Sequence, residues 1–183
     1  MKICSSDCGQ AANTADSSQL STFHFPFSIL FVCTGNTCRS PMAEAFARRA
    51  AESLALNGLG VGSAGVAALD GEPASPGARR AMEACGLPLE AHRARRLTPA
   101  LAAEAGLILT MTEAHARAVE QIAPGAKVCT LRGYLEERGE VADPWGGSDE
   151  AYASCSRELE GLVSRAIERF AESQGAGRGA DGP

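Results

Sequence analysis

The chain has 183 residues, enough for one domain with a substantial core and too few for two full ones. Hydrophobic residues make up 45% and charged residues 21%, a balance that excludes collagenous, coiled-coil and wholly disordered classes. Acidic residues outnumber basic ones 22 to 17, and no apolar run approaches the ~20 residues of a membrane span, so neither a nucleic-acid nor a membrane partner is expected.

Residues 1–27 are rich in Ser, Thr, Asn and Gln with no consistent period, and polar residues interrupt everything before Ser21. They read as a disordered N-terminal extension rather than a secretory leader, with Phe23, Phe25 and Phe27 able to rest on the surface. Cys4 and Cys8 lack a nearby His or second cysteine pair, so no metal site is expected there. Seven cysteines, an odd count without paired CxxC motifs, fit a reducing cytoplasm better than a disulfide framework. The folded domain is expected over 28–174, with 175–183 a disordered tail.

Within that domain, Ser28 to Cys33 is a short apolar run that reads as a buried strand. A helix follows from Pro41 to Leu56, opened by Pro41 in its first turn and closed by Asn57-Gly58. Leu59 to Ala64 is a second strand. Residues 76–85 and 98–105 read as helices, the latter opened by Thr98-Pro99. Gly106 to Met111 is a third strand, after which Thr112 caps a helix reaching Ile122. Lys127 to Leu131 is the fourth strand. A last helix from Asp149 to Ser173 gathers Tyr152, Cys155, Leu159, Leu162, Val163, Ala166 and Phe170 on one face. Strands alternating with helices predict an α/β fold of three layers, a parallel sheet covered on both faces. In such sheets ligands gather at the carboxyl ends of the strands.

The segment leaving the first strand is Cys33-Thr34-Gly35-Asn36-Thr37-Cys38-Arg39-Ser40, running directly into a helix. As a bare string Cys-x5-Arg is weak, because seven cysteines and many arginines produce it by chance. Its setting makes it strong. Gly35 and Asn36 accept positive φ readily, which lets successive N–H groups turn inward as a nest for an anion. The helix start adds unpaired donors and a positive dipole end, and Arg39 can fork two hydrogen bonds onto a tetrahedral oxyanion. Cys33 then lies beneath the centre of a phosphate cradle, where positive potential favours the thiolate that acts as nucleophile. The bland reading, a buried strand-end Cys before a plain turn, leaves this convergence unexplained.

Residues 31–44, FVCTGNTCRSPMAE, and 141–148, VADPWGGS, resemble the low-molecular-weight protein phosphatases, close to the bacterial protein-arginine-phosphatase branch. The resemblance covers about Ile29 to Phe170. It implies a four-stranded parallel sheet in the order 2-1-3-4, a phosphate-binding loop after strand 1, and hydrolysis through a phosphocysteine on Cys33, with Thr34 to Ser40 around the phosphate. No cofactor is implied. Phosphorylated proteins are the expected partners, and a monomer is expected.

The resemblance also makes Asp143 the general acid. Pro144 restricts Asp143 to an extended backbone that can hold its carboxyl over the cradle, although an ordinary Asp-Pro helix entry would look the same in isolation. Trp145 stands beside it in a Gly-rich loop, a poor core setting, and is expected to stack on the substrate. Asn36, Ser63 and His92 match positions that hold the loop's strained turn, and Ser40 one that donates to the Cys33 sulfur. The family further implies that Cys38 forms a reversible disulfide with Cys33; a bystander Cys38 remains open. The Arg93, Arg95 and Arg96 cluster reads as a solvated face, with recruitment of phosphoprotein as the alternative.

Thr37 bears on the substrate. Tyrosine-directed relatives carry a bulky aliphatic residue there and the arginine-directed branch a Thr, so phosphoarginine is favoured and phosphotyrosine is the alternative. Arsenate reductases share a similar loop but need two further neighbouring redox cysteines. Cys85 has no near neighbour and Cys129 falls inside a predicted strand. A non-enzymatic phosphopeptide-binding module is disfavoured because Cys33, Arg39 and Asp143 are all present.

Overall fold

Side chains along the first strand alternate between two cores, as the period of two in an extended chain requires. In the computed structural model, which describes residues 27–176 with side chains over 28–174, strand β1 is Phe27–Cys33. Ile29, Phe31 and Cys33 join one buried cluster, and Leu30 and Val32 join the other. A strand buried on both faces needs a continuous apolar sequence, and this one has it. The extension and tail fall outside the described residues, except that Phe27 opens β1 and residues 175–176 end the last helix.

The remaining elements are α1 (Arg39–Ser53), β2 (Val61–Gly65), α2 (Pro76–Ala84), α3 (Pro99–Ala103), β3 (Ala105–Thr110), α4 (Glu113–Ile122), β4 (Val128–Thr130), α5 (Leu131–Tyr134) and α6 (Asp149–Ala176). The four strands form one sheet in the order β2-β1-β3-β4, every pair parallel. Residues of α1, α2 and α6 pack on one face and those of α3 and α4 on the other. All seven residues assigned to the inner face of α6, from Tyr152 to Phe170, are buried.

Most boundaries fall within one or two residues of the sequence reading, and the largest differences lie in α1 and after β4. Helix α1 starts at Arg39, two residues before Pro41, with Cys38 at its N-cap. It ends at Ser53, well before Asn57-Gly58, because Ala55 takes the left-handed conformation at φ 52°. Two crossed backbone bonds close it, Ala55 N–H to Glu52 O at 3.0 Å and Leu56 N–H to Ala51 O at 2.9 Å. The early turn lets Leu56 and Leu59 pack against the core. The one-turn helix α5 was not anticipated: Thr130 ends β4 and caps it, its Oγ1 accepting the Gly133 N–H at 2.9 Å.

Candidate active site

The chain leaves β1 toward β2 and leaves the adjacent β3 toward β4, in opposite directions along the sheet, so a crevice opens at the carboxyl ends of β1 and β3. Cys33, the last residue of β1, is 3% exposed and pairs in register with Gly65 at the end of β2. A Cβ on Gly65 would lie 2.5 Å from Thr34 O and 2.8 Å from Asn36 N. Only glycine lets the loop fold this closely over the end of β2.

Asn36 shapes that loop from within. Its backbone sits at φ 54°, which Asn tolerates better than most residues, and its side chain is fully buried. Nδ2 donates to Ser40 Oγ at 2.9 Å and Ser63 Oγ at 2.8 Å, and Oδ1 accepts the Arg95 N–H at 2.9 Å. The Asn36 carbonyl accepts from His92 Nε2 at 2.7 Å, which places the ring proton on Nε2. Asn36, Ser63 and His92 are thus brought together around the turn. Asn36 and Ser40 lie fully buried behind the loop, outside the lining of the cleft.

Ser40 Oγ is 3.0 Å from Cys33 Sγ and 3.2 Å from Ala64 O. A hydroxyl carries one proton, and a sulfur anion would draw it away from the neutral carbonyl. Ser40 is not a cap here; it sits in the first turn of α1 with its oxygen turned to the sulfur. Arg39 is 4% exposed. Its Nη1 donates to Val141 O at 3.1 Å and its Nη2 to Asp143 Oδ2 at 2.5 Å, while Nε is buried with no acceptor among the described residues. Asp143 is half-exposed, and its Oδ1 accepts the Trp145 N–H at 3.2 Å. Trp145 is 75% exposed, so the ring is not a core residue. Cys33, Thr34, Gly35, Thr37, Cys38, Arg39, Asp143 and Trp145 line one cleft of about 350 Å³, joined by Glu72.

Cys38 shares the loop with Cys33, and both are free, buried thiols. The Cys38 thiol donates to Ser75 Oγ at 3.1 Å and lies 3.6 Å from the Tyr152 hydroxyl. Burial pushes the Tyr152 phenol above its usual range, with the Ser75 hydrogen bond opposing. In the arginine cluster Arg93 and Arg96 are exposed and Arg95 is half-buried. Arg95 donates from its backbone N–H to Asn36 Oδ1 and from Nε to Ser63 O at 2.7 Å, which ties it to the residues behind the loop, and Arg96 donates from Nε to Ala68 O.

His115 and the cleft-lining Glu72 are residues that sequence reasoning missed; for His115 the structure gives a direct link to the loop. Its Nε2 lies 2.8 Å from Thr34 Oγ1 and its Nδ1 2.8 Å from Thr112 Oγ1, linking the start of α4 to the residue after Cys33. Burial, followed by the nearby Arg39 charge, pushes its pKa below the ordinary value, with Asp143 and Glu140 opposing. A neutral ring carries one N–H, so one of its two contacts donates and the other accepts. The only sequence signal was position: a His in the first turn after a strand end, on the side where ligands bind.

A doubly covered parallel sheet whose first strand runs through Cys-x5-Arg into a helix, with an Asp-Pro loop closing over it, is the architecture of a cysteine-dependent phosphatase. The family described as low molecular weight phosphotyrosine protein phosphatase matches residues 28–175, and the chain belongs to that family. It is 40% identical over 152 residues to a protein-arginine-phosphatase of Geobacillus stearothermophilus, covering 81% of this chain and 99% of that one. The low molecular weight protein-tyrosine-phosphatase Wzb of Salmonella typhi is 38% identical, covering 82% and 96%. A solved YwlE arginine phosphatase, a cysteine-to-serine mutant with a phosphorylated active-site serine, superposes with a TM-score of 0.75 at 39% identity, covering 78% of this chain and 95% of that one.

Proposed function

We propose that this phosphatase hydrolyses phosphoarginine on proteins through a phosphocysteine at Cys33. The observation that carries the reading is the convergence of Cys33, Arg39 and Asp143 on one cleft lined also by Thr34, Gly35, Thr37 and Cys38 of the loop. The Cys33 thiolate attacks phosphorus, the bond from phosphorus to the arginine nitrogen breaks, and Asp143 passes a proton to that nitrogen. Water then attacks phosphorus, the P–S bond breaks, Asp143 takes the proton, and phosphate leaves. Arg39 and the loop amides hold the equatorial oxygens in both steps. In the free protein Arg39 is engaged with Asp143; an incoming oxyanion takes the guanidinium and frees the carboxyl for the leaving group.

Ser40 donates to the sulfur and steadies it as the leaving group of the second step. Asn36, Ser63 and His92 hold the loop. Cys38 protects Cys33 from overoxidation by closing a disulfide with it when peroxide oxidises the pair, releasing water. Phosphorylated proteins reach the cleft beside the exposed Trp145. Among the described residues no helix is long and apolar enough to cross a membrane.

Support for arginine over tyrosine comes from Thr37, which gives the cleft a short polar wall, and from the protein-arginine-phosphatase of Bacillus subtilis, 43% identical over 138 residues. Phosphotyrosine is the second reading, favoured by Trp145 at the rim, where a phenol can stack. The test compares phosphoarginine and phosphotyrosine peptides on the parent and Thr37→Ile. We expect the parent to prefer phosphoarginine, and the variant to shift toward phosphotyrosine by roughly 10–200-fold, the range of one side chain's packing. An unchanged ratio overturns the role of Thr37, and a parent preferring phosphotyrosine overturns the substrate.

A further inference from the structure

We infer that Glu72 is a specificity residue of this cleft, an unpaired carboxylate carried on its wall that receives the guanidinium of phosphoarginine. The inference rests on the phosphoarginine reading and supplies the group that recognises the cation.

The charged side chains lining the cleft are Arg39, Asp143 and Glu72. The first two are already engaged. Arg39 pairs with Asp143 at 2.5 Å, and the other Asp143 oxygen accepts the Trp145 N–H. Glu72 is exposed, and among the described residues its carboxylate has neither an ion pair nor a hydrogen bond. It is therefore the cleft carboxylate with nothing to surrender when a cation arrives.

The backbone under Glu72 is fixed rather than free to drift. Gly71 at φ 86° turns the chain, and Glu72 N–H closes that turn onto Leu69 O at 3.3 Å. Two bonds then clamp the segment to Ala94, Gly71 N–H to Ala94 O at 2.8 Å and Ala94 N–H to Glu72 O at 2.7 Å. Three residues on, Ser75 N–H donates to Thr37 O at 2.8 Å, tying the same segment to the phosphate loop. The backbone that carries Glu72 on the cleft wall is thus fixed by hydrogen bonds at both ends of its loop, so only the side chain is left to order on binding.

The sign of the charge makes the placement selective. A carboxylate beside a phosphate pocket opposes any phosphate dianion. A phosphotyrosine offers nothing in return, because its leaving group is an uncharged ring. A phosphoarginine carries a guanidinium bonded to the phosphorus, and a guanidinium matches a carboxylate with forked, charge-assisted hydrogen bonds. One side chain thereby attracts one substrate class and repels the other.

The experiment uses the full chain and its Glu72→Gln and Glu72→Lys variants, with phosphoarginine and phosphotyrosine peptides of matched sequence and inorganic phosphate as inhibitor. Glu72→Gln is expected to lower kcat/KM on phosphoarginine about tenfold, chiefly through KM, as loss of a charge-assisted bond requires. It should leave phosphotyrosine turnover equal or faster and tighten phosphate inhibition, with Glu72→Lys moving all three further the same way. If the parent acts on phosphoarginine and both substrates change alike, or phosphoarginine is unaffected, Glu72 has no such role. A parent inactive on phosphoarginine overturns the substrate reading, and this inference with it.

Discussion

Asn36 shows how much of the site depends on side chains that never meet the substrate. Three hydrogen bonds through its amide and one through its carbonyl gather Ser40, Ser63, Arg95 and His92 around one left-handed residue. His115 plays a comparable part on the other side of the loop, and its protonation has a consequence for stability. In the unfolded chain it titrates near the ordinary 6.5, while burial lowers its value in the folded protein. Between those two values the unfolded chain holds a proton that the folded one lacks. Stability is therefore complete above about pH 6.5 and falls as the pH is lowered through that window. Urea unfolding at pH 7 and pH 5 should show the parent losing more stability than His115→Gln; equal losses would contradict it. Cys33, Arg39 and Asp143 were readable in the sequence because a fixed spacing and an Asp-Pro step carry them. His115 and Glu72 were not, because His115 meets the loop and Glu72 reaches the cleft only through the tertiary fold, and no local pattern marks either.

The elements position this chemistry through close backbone approaches as well as through helices and strands. Gly65 ends β2 directly beneath the loop, and the added methyl group of Gly65→Ala would overlap Thr34 O and Asn36 N. Backbone on both sides leaves no flexible side-chain end to give way, so the loop must move. The expected result is a loss of turnover of about 10²-fold, the scale of a 1 Å misplacement of reacting groups, with sulfate or phosphate binding weakened in parallel. Full turnover in that variant, measured on a phosphopeptide, would show that the loop tolerates the displacement. Gly65 appeared in the sequence only as the last residue of a Ser-Ala-Gly run, and its role emerged from the register of β1 with β2. The end of α1 eluded the sequence for a different reason. Asn57-Gly58 is a strong stop signal, but burying Leu56 and Leu59 draws the chain round earlier, and Ala55 accepts the left-handed conformation that Gly or Asn would take more readily.

Across the whole molecule, the order β2-β1-β3-β4 puts Cys33 at the switch point between β1 and β3, from which the crossovers run in opposite directions. The alternation of apolar strands with capped helices made that architecture legible, since parallel strands require crossovers and crossovers require helices. The proposed chemistry depends on Cys33 carrying phosphate during turnover. The direct measurement is rapid quenching of the Asp143→Ala variant, in which both proton transfers are impaired, during reaction with a phosphoarginine peptide, followed by peptide mass spectrometry. The account predicts phosphate bound to the Cys33 sulfur, and no turnover in Cys33→Ala. Turnover without phosphate on Cys33, or activity surviving in Cys33→Ala, would contradict it.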